Sequence, residues 1–261
     1  MSEPAEAPCV LVDRQDAVGI IRLNRPERRN ALDLAMRRGI ARACSELDAD
    51  PTVRTVIITG GAGIFAAGAD LNLLIDKGAQ QIADIDLGQY WSPLAHCSKP
   101  TIAAVSGFAL GAGCELALMC DVVVADATAR FGQPEINVGI MPGAGGTQRL
   151  VRIVGKHVAS LMLLTGEPLT GERAFALGLV AALAESGQVV PTALQFAERM
   201  SRMPGKAVAA IRRALRMGAD LPLDAALALE NREFLLLFDT ADKTEGMRAF
   251  LERRRPNFAG D

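Results

Sequence analysis

Residues 101–120 carry a single charge, Glu115. Twenty residues this apolar have to be buried, and they match the length of a membrane-spanning helix. The local punctuation argues against one. Pro100 opens the stretch, and Gly107, Gly111 and Gly113 interrupt it. It reads instead as a buried strand over 101–105, a glycine-rich turn and a buried helix over 112–119.

The remaining chain extends this alternation. Residues 10–13 and 18–23 read as two short strands, the second ended by Asn24, Arg25 and Pro26. A helix over 33–48 follows, with Asp33 as N-cap and Met36, Ile40, Ala43, Cys44 and Leu47 on one face. Residues 53–59 form a β-branched strand and 60–63 a glycine loop. The pattern over 72–97 is mixed and holds Tyr90 and Trp91, the only Tyr and Trp. A strand over 121–125, helical segments over 145–178 and a short strand over 179–184 come next. Beyond these the strand signal stops, and 191–202, 206–217, 223–238 and 241–254 read as helices. The expectation is an α/β body over 1–190 and a helical region over 191–261.

Composition narrows the function. The 28 basic and 30 acidic residues leave a net charge of −2, and aromatics make up 4%. Neither suits a nucleic-acid or anionic-membrane binder, so no nucleic acid and no membrane are expected as partners. Cys9, Cys44, Cys97, Cys114 and Cys120 are odd in number and irregular in spacing, with no C-x-x-C. That disfavours a disulfide framework or a zinc site and fits a reducing, cytoplasmic setting. The N-terminus, MSEPAEAPCV, is acidic and has no apolar run, so no leader segment is expected.

Some motifs are decoys. GAGIFA (61–66) follows a strand and imitates a dinucleotide fingerprint, but no helical pattern starts inside it. His96 and His157 have no G-x-S-x-G partner. Two carboxylates stand out. Glu115 opens an otherwise apolar helix, where an ionised group needs a partner; a helix N-terminus alone also favours an anion. Glu135 follows Gln133 and Pro134 and precedes an apolar run, which an ordinary strand-end carboxylate also fits. Together they can form an acid/base pair whose pKa values burial and proximity push apart. Small-residue segments, AAGA (66–69) and GAG (111–113), allow close backbone approach and N–H donation to an oxyanion.

These segments resemble a known family. IAAVSGFALGAGCE (102–115), FGQPE (131–135) and PGAGGTQR (142–149) are similar, in order and spacing, to the signature of the enoyl-CoA hydratase/isomerase (crotonase) family. LNRP (23–26), NAL (30–32), FAAGAD (65–70) and EGMRAF (245–250) match as well. The resemblance runs from about residue 10 to 258.

The resemblance implies a crotonase-like spiral of repeated ββα units with a helical C-terminal trimerisation region, and a homo-oligomer that is a trimer or a dimer of trimers. It implies reversible syn hydration of a trans-2-enoyl-CoA thioester to a 3-hydroxyacyl-CoA, in fatty acid or related acyl-CoA degradation. Alternatives within the family are an enoyl-CoA isomerase or another acyl-CoA reaction; some relatives bind RNA. The catalytic glutamates fall on Glu115 and Glu135, the oxyanion-hole N–H groups on Ala69 and Ala112, and a backbone donor to water on Gly143. Contacts to CoA fall on Ala66, Asp70, Leu71 and Asn72, and on Phe250 and Arg253, which act from a neighbouring subunit in family members. No metal or redox cofactor is implied, since CoA belongs to the substrate. Three positions depart from the pattern: Ala112 stands for a Gly, Arg28 supplies the charge of a nearby Lys, and Arg253 replaces a Lys.

Overall fold

The computed structural model describes residues 7–61 and 63–260. Residues 1–6, on which the expectation of no leader largely rests, lie outside them, as does Ala62 of the 60–63 loop.

The chain advances in turns. The first contains β1 (Val10–Gln15), β2 (Val18–Leu23) and α1 (Leu34–Ala49). The second contains β3 (Thr55–Thr59), β4 (Ile64–Ala66) and the short helices α2 (Ala79–Ile85) and α3 (Ser92–Ala95). The third contains β5 (Thr101–Val105), β6 (Phe108–Leu110) and α4 (Ala112–Met119). The fourth contains β7 (Val122–Asp126), β8 (Arg130–Gly132) and α5 (Gly146–Thr165). Then come β9 (Leu169–Thr170), α6 (Gly171–Ala176) and β10 (Ala182–Ala184).

The strands sort into two sheets, one of order β1-β2-β3-β5-β7-β10 and one of order β4-β6-β8-β9. Among the described residues, only β1–β2 and β8–β9 pair antiparallel; the other pairs are parallel. Turns two to four each place one strand in each sheet, which is the ββα spiral. The apolar stretch over 101–120 is therefore β5, β6 and α4, and no described helix is long and apolar enough to cross a membrane.

Period-two alternation makes the larger sheet a partition between two cores. On one face, Ile21, Ile58, Ala103, Val105, Val123 and Ala125 pack toward α1, α4 and the smaller sheet. On the other, Val18, Ile20, Ile57, Ile102, Ala104 and Val124 pack against Val189, Ala193 and Ala197. The last three recur every four residues along α7 (Val189–Ser201) and so form one helix stripe. With both faces covered, these strands read as continuous apolar runs rather than alternating ones.

Several expectations shift. The strands β4, β6 and β8 have three residues each, too few for periodicity to register, so the sequence does not show the second strand of the second, third and fourth units. GAGIFA runs into β4, not a helix. The helical reading of 145–178 is broken: α5 ends at Gly166 in a left-handed conformation, and β9 intervenes before α6. The expected boundary at 190/191 falls inside α7, whose apolar stripe belongs to the sheet. The remaining helices are α8 (Gly205–Gly218), α9 (Leu223–Leu237) and α10 (Ala241–Leu251). An ion pair from Arg213 to the buried Glu233, 2.6 Å, ties α8 to α9.

Candidate active site

Gly111 turns the chain from β6 into α4 with φ 49 and ψ −126, a conformation reserved for glycine. Gly113 lets the first turn of α4 settle on β4: a Cβ there would meet the Ala66 carbonyl oxygen at 2.3 Å. These two positions set Glu115, in the first turn of α4, over the start of α5. Glu115 is 2% exposed. Its Oε1 accepts from the backbone N–H of Ala144 (2.7 Å) and of Gly146 (2.7 Å). Gly146 is the first residue of α5, so this oxygen uses one of that helix's orphan donors. Burial pushes the Glu115 carboxyl above its ordinary value, while the two N–H donors and the charges of Arg149 and Arg37 oppose the shift. Arg149 also holds the loop, donating from Nη1 to the Ala144 carbonyl (2.7 Å).

Glu135 lies in a single 3-10 turn, Pro134–Val138. Burial, aided by the nearby Glu115 charge, pushes its carboxyl up to about 7, against the pull of its own backbone N–H. The buried Gln133 presents its side-chain amide to this carboxylate. With nitrogen assigned to that side, it donates to both oxygens at 3.2 Å; the opposite assignment would set oxygen against oxygen.

Both glutamates line one cavity of about 370 Å³, together with Ala69, Ala112 and Gly143. Ala112 is the first residue of α4, where an N–H has no intrahelical acceptor. Ala69 bridges Leu32 in parallel. In that bridge the Leu32 N–H donates to Gly68 and the Asp70 N–H to Leu32, which turns the N–H of Ala69 to the opposite side. Among the described residues, the N–H groups of Ala69 and Ala112 therefore have no backbone acceptor, and both residues line the same cavity as the carboxylates. Apolar side chains, among them Leu74, Ile82, Leu87, Trp91, Ile140 and Met141, form the rest of the wall.

The other sequence-derived residues lie outside this cavity. Ala66 is fully buried beneath Gly113. The Asp70 carboxylate accepts from the Asn72 backbone (3.1 Å) and side chain (2.9 Å) and faces Arg25 at 3.8 Å. Leu71 and Arg28 are exposed, each in its own 3-10 turn. Phe250, 82% exposed, and the exposed Arg253 sit at the end of α10, away from the glutamates of their own chain.

Sequence reasoning missed the donors of Ala144 and Gly146, the amide of Gln133 and the presence of Arg37. The first two are backbone N–H groups, which no residue type marks. The others depend on how β8 and α1 pack.

A two-sheet ββα spiral in which two glutamates and two backbone N–H groups line one cavity is the architecture of one acyl-CoA enzyme class. The chain belongs to the enoyl-CoA hydratase/isomerase family, whose model matches residues 13–261. It is 47% identical over 251 residues to a 2,3-dehydroadipyl-CoA hydratase of Escherichia coli, covering 96% of this chain and 98% of that one. It is 39% identical over 245 residues to a mitochondrial enoyl-CoA hydratase of Pongo abelii, covering 94% of this chain and 84% of that one. Among solved structures it superposes on an enoyl-CoA hydratase of Mycobacterium tuberculosis with a TM-score of 0.89 and 38% identity, over 98% of this chain and all of the other.

Proposed function

We propose that this cavity hydrates trans-2-enoyl-CoA thioesters reversibly and syn, to 3-hydroxyacyl-CoA, with Glu115 and Glu135 as the acid/base pair. The observation that carries this is the unequal setting of two carboxylates in one cavity. Glu115 keeps an oxygen on two backbone N–H groups, which favours its anion. Glu135, raised to about 7, holds a proton near neutrality.

The thioester oxygen takes the N–H groups of Ala69 and Ala112, which stabilise negative charge as it develops. Glu115 takes a proton from water as its oxygen bonds to C3. Glu135 gives its proton to C2 of the resulting enolate. One water is added, one proton moves onto Glu115 and one leaves Glu135; exchange with solvent restores the pair, which titrates as a unit. Gly143, on the wall beside Ala144, fits a donor to the attacking water. These steps draw on protein groups and the substrate alone. An isomerase needs one carboxylate, and the convergence of two favours hydration. The balanced charge speaks against an RNA-binding role.

CoA is assigned to Arg28, Asp70, Leu71 and Asn72, with Phe250 and Arg253 reaching it from a neighbouring copy; the expected contact at Ala66 is dropped, because that residue has no accessible surface. Exposure of Phe234, Leu235, Leu236, Phe238 and Phe250 supports a trimer or a dimer of trimers. A monomer in sedimentation at micromolar concentration would refute that assembly. The setting is cytoplasmic and the pathway β-oxidation or a related acyl-CoA degradation. The activity is tested by loss of the conjugated thioester absorbance over a panel of trans-2-enoyl-CoAs. Hydration in deuterated water should place one deuterium at C2. Isomerisation without net water uptake would contradict the reading.

A further inference from the structure

One charged group in the cavity has no part in these steps. Arg37 lies on α1 and is 3% exposed. Its side chain lines the same wall as Glu115, Glu135 and Trp91. Nε donates to the Leu32 carbonyl (3.1 Å), and the guanidinium lies over the Trp91 ring, 4.8 Å from its centroid. Among the described residues, no carboxylate comes within ion-pair distance of it and its terminal nitrogens have no hydrogen-bond acceptor. Burial pulls its pKa down from the ordinary arginine value.

The charges of Glu115 and Asp33 oppose that fall from beyond ion-pair distance, so this largely buried guanidinium, with no carboxylate in contact, gains from a ligand that supplies one. This one is fixed in place by a backbone bond and an aromatic face. It therefore presents a pre-oriented fork suited to a carboxylate. The other charges on the wall are the two catalytic carboxylates and Asp86, which is exposed and so screened by solvent. The rest of the cavity lining is largely apolar and suits a methylene chain.

We propose that Arg37 is a specificity-determining residue that binds a carboxylate at the far end of the acyl chain, so that the preferred substrates are monothioesters of unsaturated dicarboxylic acids. This rests on the hydratase reading above and narrows its substrate class.

The test uses pairs of trans-2-enoyl-CoA thioesters of matched acyl length, one ending in methyl and one in carboxylate. The wild type should favour the carboxylate end by about 30-fold or more in kcat/KM, the range of a charge-assisted contact. In Arg37→Met that ratio should collapse toward unity, and in Arg37→Lys it should be partly retained, since an ammonium lacks the fork. A wild type with no preference overturns the proposal without recourse to any variant. So does an Arg37→Met enzyme that loses rate equally on both ends, because Arg37 would then act on Glu115 rather than on the substrate. Hydration of neither series would overturn the hydratase reading, and the assignment of Arg37 with it.

Discussion

A Cβ on Gly111 would stand 2.7 Å from Oε1 of Glu135. The residue that turns β6 into α4 is thus also the floor under the second carboxylate, and the absence of a side chain there shapes the acid as well as the backbone.

Gly111→Ala should therefore damage activity twice over. The new methyl group displaces the Glu135 carboxylate, and the φ of 49 with ψ of −126 strains any L-residue by about 1–3 kcal/mol. We expect a kcat loss of ~10² or more, as for a misplaced acid/base group, with a modest fall in melting temperature. A folded Gly111→Ala enzyme at wild-type rate would show that Glu135 is not held where the acid is needed.

Ala112 tests the oxyanion donor. Ala112→Gly keeps the N–H and should retain activity. Ala112→Pro removes it at the first helical position, where proline is tolerated. The expected loss is about 3 kcal/mol of transition-state stabilisation, with assembly, melting and CoA binding checked first. Near-normal turnover by a well-folded Ala112→Pro enzyme would move the donor elsewhere.

Glu135 sets the pH dependence. Hydration requires its proton, so kcat/KM for hydration should fall as pH rises above about 7. Stability follows the same proton. The folded-state value, about 7, lies above the ordinary 4.5. The folded state therefore holds more proton between those values, and stability present below pH 4.5 is lost as pH rises through 7. Glu135→Gln should be more stable than wild type above pH 7, by on the order of 1 kcal/mol because the group is only partly buried, and should melt correspondingly higher. The gain should vanish near pH 4.5. A variant melting no higher than wild type at alkaline pH would contradict a raised carboxyl.

The larger sheet was legible because its strands are covered on both faces, which leaves continuous β-branched runs such as 53–59. Asp33 was legible as a cap because its chemistry is local: it accepts from Met36 N–H at 2.8 Å. Glu115 and Glu135 stood out, the first as the lone charge in an apolar stretch and both through their family motifs. Their partners did not. Every residue carries an N–H, so nothing in the composition of 142–146 distinguishes Ala144 and Gly146 as the donors to Glu115. Arg37 sits one residue from Met36 on an amphipathic helix, where a charge ordinarily faces water. Its burial follows from the fold of 72–97 over α1, which brings Trp91 against it, and that segment has no regular pattern to read.

The central claim is that two carboxylates act together on an enoyl thioester. Its most direct test is single-turnover and steady-state hydration by Glu115→Gln and Glu135→Gln, with thioester binding measured alongside. Each variant should lose at least ~10² in kcat while binding the substrate with near wild-type affinity, since neither carboxylate is needed to hold CoA. Either variant retaining more than about half the wild-type rate would contradict the role assigned to that residue.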